Sequence, residues 1–247
     1  MLACGGEAST STSAGGSATE QNGTGGAASG DSKALCADFA NEQGLSRYVR
    51  IVNKTSHPIF LGPSTPNAYG LGLLFSIKQD GRLLPRPSGE CVASCQLLRD
   101  QGHWSCPDIA PLSSAIELAP GEEHIATWNG LVLAQRTLPA ECVGGESAEA
   151  ESSPPSDMAC RQLVQITPGA YTFSVNAGTE LVCNDWLSPE ECGSCGPSGR
   201  GGCLYSGHYV GGERLYAETQ VDLGPARGVD ASGEPRANEP VEIIFRD

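Results

Sequence analysis

The chain is poor in cations, poor in aromatic residues and free of long apolar runs, and each shortage narrows what it can be. Its 247 residues carry 15 Lys and Arg against 29 Asp and Glu, a formal net charge of -14. Affinity for a phosphate backbone comes from Lys and Arg that displace counterions, so nucleic acid is not an expected partner. The acidity bears on solubility and not on fold. No run of about 18 apolar residues occurs, so the sequence has no segment of the length and polarity of a membrane-spanning helix. Neither a Gly-x-Ser-x-Gly elbow nor a His-Glu-x-x-His motif accompanies the four histidines His57, His103, His124 and His208. No catalytic residue and no cofactor is therefore expected. His57 reads as a turn residue and His124 as a strand residue facing solvent.

What is abundant is glycine (32), proline (17) and cysteine (11). Gly and Pro with 6% aromatics describe many turns between short strands. The N-terminal residues Met1-Leu2-Ala3-Cys4-Gly5-Gly6 resemble the lipobox of bacterial lipoproteins, in which the cysteine becomes the lipidated end of the mature chain. That resemblance implies lipid attachment at Cys4 and a bacterial envelope location. Gly5 in place of Asp after the cysteine implies the outer membrane, with the protein periplasmic or surface-exposed. The charged and apolar regions of an export signal are expected upstream of Met1, or to have been removed from a processed form.

With Cys4 set aside, ten cysteines remain: Cys36, Cys91, Cys95, Cys106, Cys142, Cys160, Cys183, Cys192, Cys195 and Cys203. An even set at this density reads as a disulfide framework made in an oxidising compartment. Spacing does not fix the pairing. Local proximity favours Cys142 with Cys160 and Cys91 with Cys106.

Residues 1–4 are thus a lipobox remnant with its attachment cysteine. Residues 5–35, almost wholly Gly, Ser, Thr and Ala, are expected to be a disordered linker that spans roughly 30 Å as a coil. Residues 36–247 are expected to form one disulfide-stabilised, all-β domain. Its strand candidates include Tyr48 to Val52, Pro58 to Leu61, Leu73 to Lys78 with an Asp80-Gly81 hairpin turn, Ala115 to Leu118, His124 to Trp128, Leu163 to Ile166, Tyr171 to Val175, Leu215 to Val221 and Val241 to Phe245. Pro120-Gly121 and Pro168-Gly169 punctuate two strand–turn–strand repeats. Short strands without sustained helical periodicity predict an antiparallel sandwich, with Trp128 in its core. The stretches 86–110 and 183–213 lack strand patterning and read as loop insertions pinned by disulfides.

The order of Asn53 and its turn, Pro58 to Leu61, Phe75 through Asp80-Gly81-Arg82, Leu118-Ala119-Pro120-Gly121-Glu122 into Thr127-Trp128-Asn129-Gly130, and Pro168 to Thr172 is similar to the Ig-like domain of the bacterial intracellular proteinase inhibitor family. The similarity covers residues 47–175. It implies an Ig-like fold and, as an alternative function, an exported proteinase inhibitor.

Three further clusters carry chemistry. Cys183, Cys192, Cys195, Cys203 and His208 have the ligand types and a Cys-x-x-Cys spacing suited to zinc, a metal-binding alternative that requires reduced sulfur; the expectation is disulfides and no metal. Glu146, Glu149, Glu151 and Asp157 lack the spacing of a calcium loop and read as a solvated segment. The Gly-rich stretch from Gly199 to Tyr209 offers Arg200, Tyr205, His208 and Tyr209 as a partner-binding loop, since Tyr and Arg are frequent interface anchors. The sequence therefore predicts a non-catalytic protein, held to a membrane by lipid, with an envelope protein as its partner.

Overall fold

A computed structural model describes residues 35–62, 74–87, 92–103, 113–144, 156–185, 187–188, 190–224 and 240–247. Cys4, the linker up to residue 34, Cys91 and Cys106 with their expected pairing, and Glu146, Glu149 and Glu151 lie outside them. Strands dominate: β1 (Arg47–Asn53), β2 (Ile59–Leu61), β3 (Ser76–Gln79), β4 (Arg82–Leu83), β5 (Ser114–Leu118), β6 (Glu123–Trp128), β7 (Leu131–Leu138), β8 (Met158–Gln165), β9 (Gly169–Cys183), β10 (Gly196–Pro197), β11 (Cys203–Ser206), β12 (His208–Leu223) and β13 (Val241–Phe245). A short helix, α1 (Cys95–Gln101), stands between β4 and β5.

The strands make a small sheet β13-β1-β6, a large sheet β10-β11-β5-β2-β9-β3-β4 with β12 also on β9, and the hairpin β7-β8. Period-2 alternation explains the small sheet. Val49 and Ile51 of β1 and Val241, Ile243 and Phe245 of β13 point inward. On the outer face Arg50 reaches Glu123 on one neighbour and Glu242 on the other. These ion pairs are solvent-accessible, so they serve register more than stability. The β1–β13 pair is parallel, which departs from the all-antiparallel expectation. A return strand from the far end of the chain can add to the free edge of β1 in either direction, and no local turn constrains it.

In the large sheet, β9 and β12 form a long antiparallel ribbon from Gly169↔Leu223 to Cys183↔His208, with a bulge between Gly211 and Arg214. The other edge of β9 is shared by β3 and then β2. The expected Asp80-Gly81 turn joins β3 to β4: both residues have positive φ, at 50° and 75°, as a two-residue hairpin loop of this kind requires. The Pro-Gly turns behave differently, for β5 and β6 lie in different sheets and so do β8 and β9. These turns are crossings rather than hairpins. At the first, Gly121 N–H donates to Asn53 O (2.7 Å) and Asn53 N–H to Glu122 O (2.9 Å).

Asn53, fully buried, secures that crossing. Its Nδ2 donates to Leu118 O (2.8 Å) and His57 O (2.9 Å), and its Oδ1 accepts from Thr55 N–H (2.9 Å) and Thr55 Oγ1 (2.7 Å). A buried amide with every polar atom paired rigidifies its surroundings.

Both sheets feed one apolar core. At its centre Phe75, Trp128 and Phe173 meet with ring centroids 5.9 to 6.5 Å apart, so Trp128 is a core residue as expected. Arg86 covers the Phe75 ring, its guanidinium carbon 4.0 Å from the centroid, and also donates to Phe75 O. Burial pushes the Arg86 pKa down to about 10, which leaves it charged at neutral pH and supports a cation–π contact.

A second, smaller core holds Cys95, Leu98, Leu138, Cys142 and Cys160. Here α1 begins at Ser94, whose Oγ accepts from Leu97 N–H, and ends at Gly102 with φ 74°. Cys95 and Leu98 share its buried face, being three residues apart. The disulfides are Cys36–Cys142 and Cys95–Cys160, not the expected Cys142–Cys160. The β7-β8 register pairs Cys160 with Arg136. Cys142 lies beyond the end of β7, in a 3-10 turn, where it meets the N-terminal segment, while Cys160 faces the helix.

The two cysteine-rich stretches, expected as loops, contain regular elements among their described residues. The first contains α1; the second contains β10, β11 and the start of β12. The strand character of the second comes from pairing with distant partners, β11 on β5 and β12 on β9, and not from alternation in the local sequence.

Candidate functional site

β10 and β11 form a tight ribbon, Gly196↔Leu204 and Pro197↔Cys203, closed by the Cys195–Cys203 disulfide. The loop between them docks sideways onto β6. Ile125 N–H donates to Arg200 O (2.9 Å), Arg200 Nη1 donates to Thr127 Oγ1 (2.9 Å), and His124 Nδ1 lies 2.9 Å from Gly201 O. Gly201 has φ 91°, and a Cβ there would lie 2.0 Å from Glu123 O. Only glycine allows this approach. The loop therefore bridges β6 of the small sheet and β11 of the large one.

Under it lies a cavity of 340 Å³. Leu74, Phe75, Ile116, Ala126 and Leu204 form its apolar walls; His124, Thr127, Ser198 and Arg200 supply its polar groups. His124 is 4% exposed, which corrects the expectation that it faces solvent. Trp128 sits in the core, and alternation along β6 then turns Ala126 and His124 inward and leaves Ile125, at 37% exposure, on the outside.

Because Gly201 O can only accept, neutral His124 carries its proton on Nδ1 and a lone pair on Nε2. Burial pushes its pKa down; the Gly201 hydrogen bond opposes this, and the Arg200 charge adds to it. With the folded-state pKa below 6.5, the unfolded chain takes up the proton first as pH falls. This contribution to stability is intact above the unfolded value and is lost as pH drops through it toward the folded one. Thermal midpoints should fall between about pH 7 and pH 5. His124→Gln, which still donates to Gly201, should flatten that slope; an unchanged slope would assign it to other groups.

The remaining sequence candidates are spread out. Tyr205 donates to Glu117 Oε2 (2.9 Å) and packs edge-on against His208, ring centroids 5.5 Å apart. The Glu117 hydrogen bond, with some burial, raises the Tyr205 pKa. Tyr209, the next residue along β12, faces the other way and borders a separate cavity with Ser76, Ser174 and Arg214. Arg200 stands at the β6 end. Tyr205 and His208 are thus brought together, and Arg200 and Tyr209 are not part of their surface.

Cys183–Cys192 and Cys195–Cys203 are disulfides, so the sulfurs of the zinc-type set are bonded to one another. His208 Nδ1 meets Ser206 O at 3.0 Å. Asp157, the described member of the acidic group, accepts from Ala140 N–H at 3.1 Å. His57 lies in the turn after β1, beside Asp247, and His103 lies just past α1. Among the described residues no His, Cys, Asp or Glu cluster is arranged to hold a metal.

The chain matches no family model, no curated protein and no solved structure. Its function has to be argued from its own residues. Sequence reasoning singled out Arg200 but missed His124, Thr127 and Ser198 as its neighbours. The parity of β6, set by Trp128, was the signal that could have found His124.

Proposed function

We propose that the chain is a non-catalytic binding module of a bacterial envelope, anchored by lipid on Cys4 and folded as an Ig-like β-sandwich behind a tether rich in Gly, Ser, Thr and Ala. The disulfides carry this proposal. Among the described residues four of them tie sites as far as 106 and 65 positions apart as well as two tight loops, a pattern typical of proteins that mature in oxidising compartments. The sandwich is supported by one apolar core fed by two sheets. Two or more acyl chains at Cys4 would give stable attachment, where a single chain would not. The domain would then stand off the membrane by the length of its linker, free to meet an envelope protein.

Expression of the full-length precursor in a Gram-negative host with labelled fatty acid should place label in the protein, and Cys4→Ser should abolish it. Equal labelling of the two forms would refute the anchor. The mass of the non-reduced protein would report sulfur pairing in the same preparation.

A further inference from the structure

We propose that the cavity beneath the Cys195–Cys203 loop binds a small monocarboxylate with an apolar body, Arg200 holding the carboxylate and Phe75, Ile116 and Leu204 enclosing the hydrocarbon. This goes beyond an envelope partner protein and does not depend on acylation.

Three observations converge. The first is size: 340 Å³ lies at the lower end of small-molecule pockets, about 300–1,000 Å³, and suits a phenyl ring or a short acyl chain. The second is the wall, which joins aliphatic and aromatic side chains to the polar ones of His124, Thr127, Ser198 and Arg200, the mixture of apolar lining and polar groups found in small-molecule sites.

The third is charge. In a chain of net charge -14, Arg200 is a cation with no carboxylate within ion-pair distance among the described residues. Glu123, which shares its surroundings on β6, is taken by Arg50. Among the described residues the one side-chain hydrogen bond of Arg200, to Thr127 Oγ1, leaves N–H donors in the planar fork that suits a carboxylate. Burial pushes the His124 pKa down, which works against a second positive charge beside Arg200 and favours a monoanion over a dianion. The Arg200 backbone is fixed by Ile125 N–H and by the loop's disulfide, so little ordering is required on binding.

The test is calorimetric titration of the full chain, disulfides intact, with 3-phenylpropionate and with 3-phenylpropanol, its neutral counterpart. The acid should bind with a dissociation constant below about 1 mM and at least about tenfold more tightly than the alcohol. Arg200→Gln should cost the acid at least about tenfold, while Arg99→Gln, on α1, should cost nothing. The acid–alcohol contrast needs no substitution and so stands whatever Arg200→Gln does to the loop. No saturable binding of the acid up to about 10 mM, or less than tenfold separation in either comparison, overturns the proposal. Fatty-acid labelling at Cys4 is untouched by either result, so the two failures are told apart.

Discussion

Phe173→Ala should lower the free energy of unfolding by about 3–5 kcal/mol, read as a shift of the urea midpoint at unchanged slope. Phe173 is fully buried and touches both other rings of the central cluster, each 5.9 Å away between centroids. Truncation removes its transfer free energy and leaves a cavity that rigid neighbours fill poorly. Trp128 is fixed through its indole N–H, which donates to Leu131 O (2.9 Å). Phe75 is clamped by Arg86. Neither can swing into the gap without giving up a contact, so the loss should fall at the upper end for a phenylalanine. A loss below about 1 kcal/mol would mean that the two sheets do not share this core.

Cys95→Ala with Cys160→Ala should be the second large effect, about 4 kcal/mol from chain entropy alone for a separation of 65 residues. The pair of substitutions leaves no unpaired thiol to exchange with the other bridges. Among the described residues the small core it crosses contains only Leu98 and Leu138 as buried aliphatics, too few to hold α1 against β8 unaided. The thermal midpoint should drop by roughly 8–16 °C for a chain of this size. Amide exchange should accelerate first in α1, while the β9-β12 ribbon keeps its protection. Uniform acceleration throughout would show that the two cores unfold as one unit.

The legible parts of the fold were those written in short stretches. Asp80-Gly81 announced its hairpin because both positions need positive φ, and the alternation of Val49, Ile51, Val241, Ile243 and Phe245 announced strands with one buried face. Which strands pair was not legible. Arg50 and Glu242 are 192 residues apart, and nothing in either segment states that the other will lie alongside it, or in which direction. The Pro-Gly turns do stand between strands as expected, but a turn says that the chain reverses, not that it stays in the same sheet.

At the candidate site the difficulty was one of parity. Ile125 is the most apolar residue of its immediate neighbours and invites an inward placement, yet the far larger Trp128 decides the face and carries His124 in with it. The role of Arg200 depended on Gly201 lying against the Glu123 carbonyl, a contact between distant segments that no local pattern encodes. Eight of the ten cysteines expected in disulfides are bridged among the described residues, and Cys142 pairs with Cys36 rather than Cys160, because proximity along the chain was a poor guide once the β7-β8 register moved Cys142 past the hairpin.

The amide of Asn53 has a consequence for producing the protein in a eukaryotic secretory host. Asn53-Lys54-Thr55 is an acceptor sequence for N-linked glycans in eukaryotic secretion, but both hydrogens of the side-chain nitrogen donate to backbone carbonyls, of His57 and Leu118, and the residue is inaccessible. A sugar could be attached there only while the polypeptide is still unstructured. It would occupy the nitrogen that joins the end of β1 to the crossing between the sheets, so a glycosylated chain could not close this junction. Yeast or mammalian secretion would divide the product into an unmodified, foldable fraction and a sugar-bearing fraction that is not.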